Sequence, residues 1–206
     1  MPKQGLTEIV CIIDKSGSMA FVCDDSIGGF NTFLKGQREL PGEALFTLTL
    51  FDTDYTVIHN GVPIAEVPEL TSDTYIPGGM TALLDAMGRT IDKVGQRLAE
   101  TDEDDRPENV IVAILTDGQE NSSTEYTRDQ VMASVKQQQD EWSWEFMYLG
   151  ANQDAVYEGG RLGISAARSR NYVADSDGTS KVYQEMSMEV QYLRMPEYSP
   201  DESEDE

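Results

Sequence analysis

Three separated stretches of this sequence carry hard oxygen donors in spacings that suit a metal ion. The first is Asp14-Lys15-Ser16-Gly17-Ser18-Met19, directly after the apolar run Ile9-Val10-Cys11-Ile12-Ile13. It sets a carboxylate and two hydroxyls on alternate residues, and Gly17 permits the tight turn that lets them face one point. The second is Thr81, which follows the glycine-rich Tyr75-Ile76-Pro77-Gly78-Gly79-Met80. The third is Thr116-Asp117-Gly118, at the end of Val110-Ile111-Val112-Ala113-Ile114-Leu115. Oxygen donors without imidazole or thiolate suit Mg²⁺, Mn²⁺ or Ca²⁺ and not zinc or copper. Taken alone, the Asp14 motif reads equally well as a polar strand-to-helix turn, because short motifs recur by chance.

The elements that must position these groups are legible. The two continuous apolar runs, rich in β-branched residues, predict strands buried on both faces. Asp14 and Asp117 stand at their carboxyl ends. Asp24-Asp25-Ser26 offers N-cap candidates for a helix whose Ile27, Phe30, Phe33 and Leu34 share a face. A strand is expected over 45–51. Only Asp52-Thr53-Asp54 separates it from a strand over 55–58, too short a connection for a parallel crossover, so these two should form a hairpin. After Thr81, apolar Leu84, Met87, Ile91, Val94 and Leu98 recur at helical steps. A helix over 127–139, a strand over 144–149, a short helix through Ala155, a weak strand over 171–173 and a helix over 182–193 follow. The alternating Trp142, Trp144, Phe146 and Tyr148 are expected to fill the core. The whole predicts an α/β fold in three layers, a doubly wound, mostly parallel sheet with helices on both faces. Ligands of such sheets bind beyond the carboxyl ends of the strands, where the strand order reverses. If the two apolar strands are neighbours, Asp14 and Asp117 meet there, and Thr81 opens a helix at the same rim.

Composition narrows the function. The 206 residues carry a formal charge of −23, which argues against nucleic acid and anionic membrane as partners, since both need a basic footprint. Metal cations and basic protein surfaces are favoured instead. Acidic runs at 100–105 and 197–206 read as solvated segments. The expected organisation is one domain over 1–195 and an acidic tail over 196–206. Met1-Pro2-Lys3-Gln4-Gly5 runs into the first strand without an apolar leader, and no apolar run approaches membrane-spanning length. Cys11 and Cys23 do not form a disulfide framework. The expectation is a cytoplasmic protein, monomeric on its own.

Together the three motifs resemble, in order and context, the von Willebrand factor type A (vWA) domain with a complete metal-ion-dependent adhesion site. The likeness covers roughly Leu6 to Leu193. It implies a six-stranded sheet ordered 3-2-1-4-5-6 with one antiparallel edge strand. It also implies that Ser16, Ser18 and, with ligand, Thr81 touch the metal, while Asp14 and Asp117 act largely through metal-bound water. A cation held by neutral hydroxyls stays electrophilic and seeks the Asp or Glu carboxylate of a partner protein. A narrower likeness is to stand-alone bacterial and phage proteins of this family, some associated with tellurium resistance. It is carried by Asp25-Ser26-Ile27-Gly28-Gly29-Phe30-Asn31, Thr116-Asp117-Gly118-Gln119-Glu120-Asn121 and Trp144-Glu145-Phe146-Met147-Tyr148-Leu149-Gly150-Ala151-Asn152. Asp85, Glu120 and Asn121 are candidates for an outer shell around the metal.

Rival readings fare worse. An EF-hand needs glycine where Met19 stands. Asn171-Tyr172-Val173-Ala174-Asp175-Ser176-Asp177-Gly178-Thr179 resembles the nucleophile motif of haloacid-dehalogenase-type phosphatases, but too little chain follows to complete that site. It reads as a turn in which Asp175, Ser176 or Asp177 caps the last helix. A hydrolase triad would need the sole histidine, His59, expected as an exposed residue of the edge hairpin. The alternatives to a carboxylate-binding module are a metal-assisted phosphohydrolase and a domain whose metal is purely structural.

Overall fold

The molecule is built on β1 (Lys3–Asp14), buried without interruption from Leu6 to Asp14. In the computed structural model, which describes residues 1–194, β1 lies between the parallel strands β2 (Glu43–Phe51) and β4 (Pro107–Thr116). β5 (Glu145–Ala151) and β6 (Ser169–Tyr172) extend the parallel side beyond β4. β3 (Tyr55–Pro63) closes the other edge antiparallel to β2, as the three-residue connection requires. The resulting order is β3-β2-β1-β4-β5-β6, and the strand order reverses between the parallel neighbours β1 and β4, which makes a ligand crevice in such folds.

Alternate residues of β1 serve two separate cores. Ile9, Cys11 and Ile13 pack on one face with Phe30, Phe33 and Leu34 of α1 (Cys23–Glu39) and with Val182 and Met186 of α5 (Ser176–Arg194). Val10 and Ile12 pack on the other with Met87, Ile91 and Val94 of α2 (Leu83–Glu100). That second face also takes Val131 and Val135 of α3 (Arg128–Trp142) and Ala155 of α4 (Ala155–Arg161). A strand covered by helices on both sides admits few polar side chains along its length; the exception in β1 is Glu8, which is buried but paired with Arg97 and Thr47. Asp14 and Asp117, by contrast, sit where β1 and β4 end.

Local details differ from the expectations in instructive ways. α1 begins at Cys23, so Asp24 and Asp25 lie inside its first turn, where they complement the helix dipole, and Ser26 is buried. The N-cap position, Val22, has no side-chain acceptor, because a 3-10 turn over Gly17–Val22 feeds directly into the helix. Trp142 is 57% exposed at the end of α3, whereas Trp144, Phe146 and Tyr148 are buried. Ser143, at φ 55°, turns the chain between the two tryptophans and breaks the alternation. α5 starts at Ser176, six residues before its expected start at 182, and Asp175 caps it by accepting from the Gly178 N–H at 2.7 Å. His59 is half-buried opposite Leu48 and not exposed, and burial lowers its pKa. Cys11 and Cys23 are free thiols. Among the described residues no helix is long and apolar enough to cross a membrane. The tail expected over 196–206 lies outside the described residues.

Candidate metal centre

Because β1 and β4 are neighbours, their ends bring Asp14 and Asp117 to one place, with Asp14 wholly buried and Asp117 3% exposed. Hydrogen bonds join the two motifs. Asp14 accepts at Oδ1 from the Ser16 N–H (2.7 Å) and at Oδ2 from the Thr116 hydroxyl (2.6 Å). The Ser18 hydroxyl donates to Asp117 Oδ1 at 2.7 Å, and the Ser16 and Ser18 hydroxyls are 3.2 Å apart. Asp14, Ser16, Ser18 and Asp117 are therefore one contiguous cluster of oxygens.

Thr81 approaches from a third direction, on a loop pinned at both of its sides. The Gly17 N–H donates to the Gly79 carbonyl (3.2 Å) and the Gly78 N–H to the Lys15 carbonyl (2.8 Å). On the hairpin side, the Met80 N–H donates to Thr53 Oγ1 at 2.9 Å, and the Ala82 N–H to the Asp52 carbonyl, also at 2.9 Å. Gly79 sits at φ +65°, and a Cβ there would stand 2.8 Å from Thr53 Oγ1, so only glycine lets the loop lie this close. Thr81 is 3% exposed. Its Oγ1 lies 3.2 Å from the place a Cβ would occupy on Gly118, the residue after Asp117.

The electrostatics leave a charge uncompensated. Burial pushes the Asp14 carboxyl up to about 6, with the charge of Asp117 adding to the rise and the Thr116 and Ser16 donors opposing it. Burial also raises Asp117. Among the described residues neither carboxylate pairs with a lysine or arginine. The one cation inside the motif, Lys15, is turned away into an ion pair with Asp52. Buried carboxylates without a counter-charge either take up protons or hold a metal. No three His, Cys, Asp or Glu side chains converge as a metal cluster among the described residues. This centre offers two carboxylates and otherwise hydroxyls, a donor set that fits a hard divalent cation.

The three outer candidates position Thr81 and do not touch the oxygen cluster. Asn121 pairs with the Thr81 backbone, its Oδ1 accepting from the Thr81 N–H at 2.9 Å and its N–H donating to the Thr81 carbonyl at 3.1 Å. Glu120 accepts from the Leu84 N–H at the start of α2 and from the N–H groups of Ser122 and Ser123. Asp85 accepts from the N–H groups of Thr124, Glu125 and Tyr126. Burial acts to raise the Asp85 carboxyl, but those three donors outweigh it and hold it below the usual carboxylate range. Together they fasten the segment after β4 to the first turn of α2.

Sequence reasoning missed several supports. Thr116 braces Asp14, although its place beside Asp117 at a strand end is a usable signal. The Tyr75 hydroxyl donates to the Asp14 carbonyl at 2.6 Å, and the Asn152 amide to the Asp117 carbonyl at 3.1 Å. Nothing in the local sequence marks either contact.

No protein-family model matches the chain, and no curated protein matches its sequence. Solved structures do share the fold. The von Willebrand factor domain of the type V pilus tip protein Mfa5 from Porphyromonas gingivalis superposes with a TM-score of 0.65 at 9% identity, over 92% of this chain and 96% of that one. Proximal thread matrix protein 1 from the mussel byssus superposes with a TM-score of 0.64 at 15% identity, over 91% of this chain and 46% of that one. A further structure of that mussel protein, described as having a zinc-occupied adhesion-site motif, gives a TM-score of 0.60 at 16% identity. This chain spans about half the length of the mussel protein (46%). The fold is that of a vWA domain.

Proposed function

We propose that this chain is a metal-dependent protein-binding module and not an enzyme. Asp14, Ser16, Ser18, Thr81 and Asp117 would hold one divalent cation, Mg²⁺ or Mn²⁺ with Ca²⁺ as a further candidate, and a partner protein would present an Asp or Glu carboxylate to it. The observation that carries this reading is a pair of buried carboxylates without a cationic partner, set among hydroxyls where the two central strands end. When bound there, the cation supplies a Lewis-acidic position for an anionic oxygen from outside. Ser16, Ser18 and Thr81 offer neutral oxygens, so they leave most of its charge uncancelled. Asp14 and Asp117 supply the negative charge that retains it, and Thr116 and the Ser16 N–H fix the Asp14 carboxylate in orientation.

The side chains at the rim give little support to hydrolysis. His59 lies on β3, two strands from β1, and the Asp175 carboxylate is spent on capping α5. We further propose a place among stand-alone bacterial or phage vWA proteins, some of them tellurium-resistance-associated. There the chain would act in the cytoplasm as a monomeric adaptor of a stress or phage-related system. The support is the sequence stretches quoted above and the acidic charge of −23, which favours a basic partner surface.

Calorimetric titration with Mg²⁺ and Mn²⁺ tests the centre. One site is expected in the native chain, at least tenfold weaker after Asp117→Asn or Thr81→Ala, with the far-ultraviolet circular dichroism unchanged and no turnover of p-nitrophenyl phosphate. Undiminished metal affinity in both variants would refute the assignment.

A further inference from the structure

We infer that the rim around the centre is a docking surface for a protein segment in which a single carboxylate is flanked by apolar side chains and by lysine or arginine. The inference rests on the metal-binding reading above and specifies the partner of that same site.

Three large apolar side chains stand outside the fold on the two segments that frame the centre. Phe21 is 93% exposed, Ile76 63% and Met80 53%. Phe21 belongs to the 3-10 turn that begins just after Ser16, and in that turn Met19 and Val22 are buried. Ile76 and Met80 lie on the loop between Tyr75 and Thr81, which are themselves buried. Gly17 to Gly79 and Gly78 to Lys15 are the hydrogen bonds that join the two segments, so the segments that carry the apolar groups meet beside Ser16. Isolated exposed apolar residues are ordinary on any protein surface. Three on two hydrogen-bonded segments beside a polar centre are a local concentration, and concentrations of exposed apolar groups mark contact sites. Their exposure shows that they are dispensable for the core.

Charge decides what the patch accepts. The rim segments at 14–25, 52–54, 71–81, 117–127, 152–154 and 173–177 contain one lysine and no arginine. That lysine, Lys15, is held by Asp52. The remaining rim charges are carboxylates, so a plain acidic peptide is repelled before it reaches the centre. A carboxylate arrives favourably only when basic residues beside it offset the rim and apolar residues beside it cover Phe21, Ile76 and Met80.

The test pans a phage-displayed library of random linear dodecapeptides on the immobilised full chain in Mg²⁺, eluting with EDTA. Chelator-released peptides should carry Asp or Glu within three residues of Phe, Leu, Ile, Met or Trp, together with Lys or Arg. A synthetic peptide of the selected pattern should bind the native chain at least tenfold more tightly than Phe21→Ser or Met80→Ser, while the Mg²⁺ isotherms of the three proteins coincide. Chelator-released peptides that are acidic without apolar or basic enrichment would overturn the inference and leave the metal reading standing. So would a selected peptide indifferent to both substitutions. A library with no chelator-released peptide would overturn the inference, and the Mg²⁺ isotherm of the native chain would then decide the metal reading by itself. Sedimentation showing a Mg²⁺-dependent dimer that Phe21→Ser dissociates would assign the patch to a second copy of the chain and overturn the inference as well.

Discussion

Removing one charge from the centre should stabilise the metal-free protein. In Asp14→Asn, the introduced amide keeps an oxygen for the Ser16 N–H, and its nitrogen can donate to Thr116 Oγ1, whose own hydroxyl turns to the Gly118 carbonyl 3.1 Å away. What the substitution deletes is a buried charge. The carboxyl titrates at about 6 in the fold against 3.8 as a free side chain, so the folded state holds more protons than the unfolded state between those values. Stability from this group therefore falls as pH rises from 3.8 to about 6 and stays low above it. At ~1.4 kcal/mol per unit, the penalty at pH 7.5 is roughly 3 kcal/mol, or roughly 6–12 °C in Tm for a domain of this size. Urea and thermal denaturation in EDTA should show Asp14→Asn more stable than the native chain at pH 7.5, with the gap closing by pH 4. Mg²⁺ at a thousand times its Kd should reverse the order, since it adds ~4.1 kcal/mol to the protein that binds it, more than the penalty. A variant less stable than the native chain in EDTA at pH 7.5 would refute the account of a strained carboxylate.

Further substitutions probe the supports. Lys15→Met strands the nearly buried Asp52 carboxylate and should lower stability by roughly 2–4 kcal/mol in urea titration, although Lys15 belongs to the motif that offers the metal ligands. Gly79→Ala places a methyl 2.8 Å from Thr53 Oγ1 at a positive φ; displacement of Thr81 should weaken Mg²⁺ binding roughly tenfold or more by calorimetry. Thr127→Ala removes a capping box with Gln130 and should reduce stability by about 1 kcal/mol with the Mg²⁺ isotherm unaltered.

Much of the fold could be read along the chain because its main devices are local. β1 and β4 announce themselves as unbroken apolar runs, α2 by its three- and four-residue steps, and the hairpin by a connection with no room for a crossover. Residues 14 to 18 and 116 to 118 are likewise contiguous, so the convergence of Asp14 and Asp117 needed only the pairing of two strands. The failures have physical reasons. The start of α1 is hidden by a 3-10 turn that needs no capping side chain. The start of α5 is hidden because its first turn contains Gly178, where a Cβ would stand 2.1 Å from the Val173 carbonyl oxygen. Trp142 escapes the pattern because the alternation of aromatics runs on in sequence across Ser143, a left-handed residue that ends a helix. Tyr75 and Asn152 brace the centre over 61 and 35 residues of sequence, and contacts of that range leave no local trace.

β1 also has a mechanical meaning. Its amino end, at Lys3, stands at the opposite end of the strand from Asp14, and the strand spans twelve residues, about 40 Å of extended chain. Tension applied between the amino end and a partner gripped at Ser16 would run along this strand. β1 is hydrogen-bonded to a parallel neighbour on each side over most of its length, so such a pull loads both ladders in shear. Shear makes many bonds yield together, whereas peeling from an edge breaks them one at a time. The centre is thus fixed to a strand whose extension is opposed by a ladder on each side.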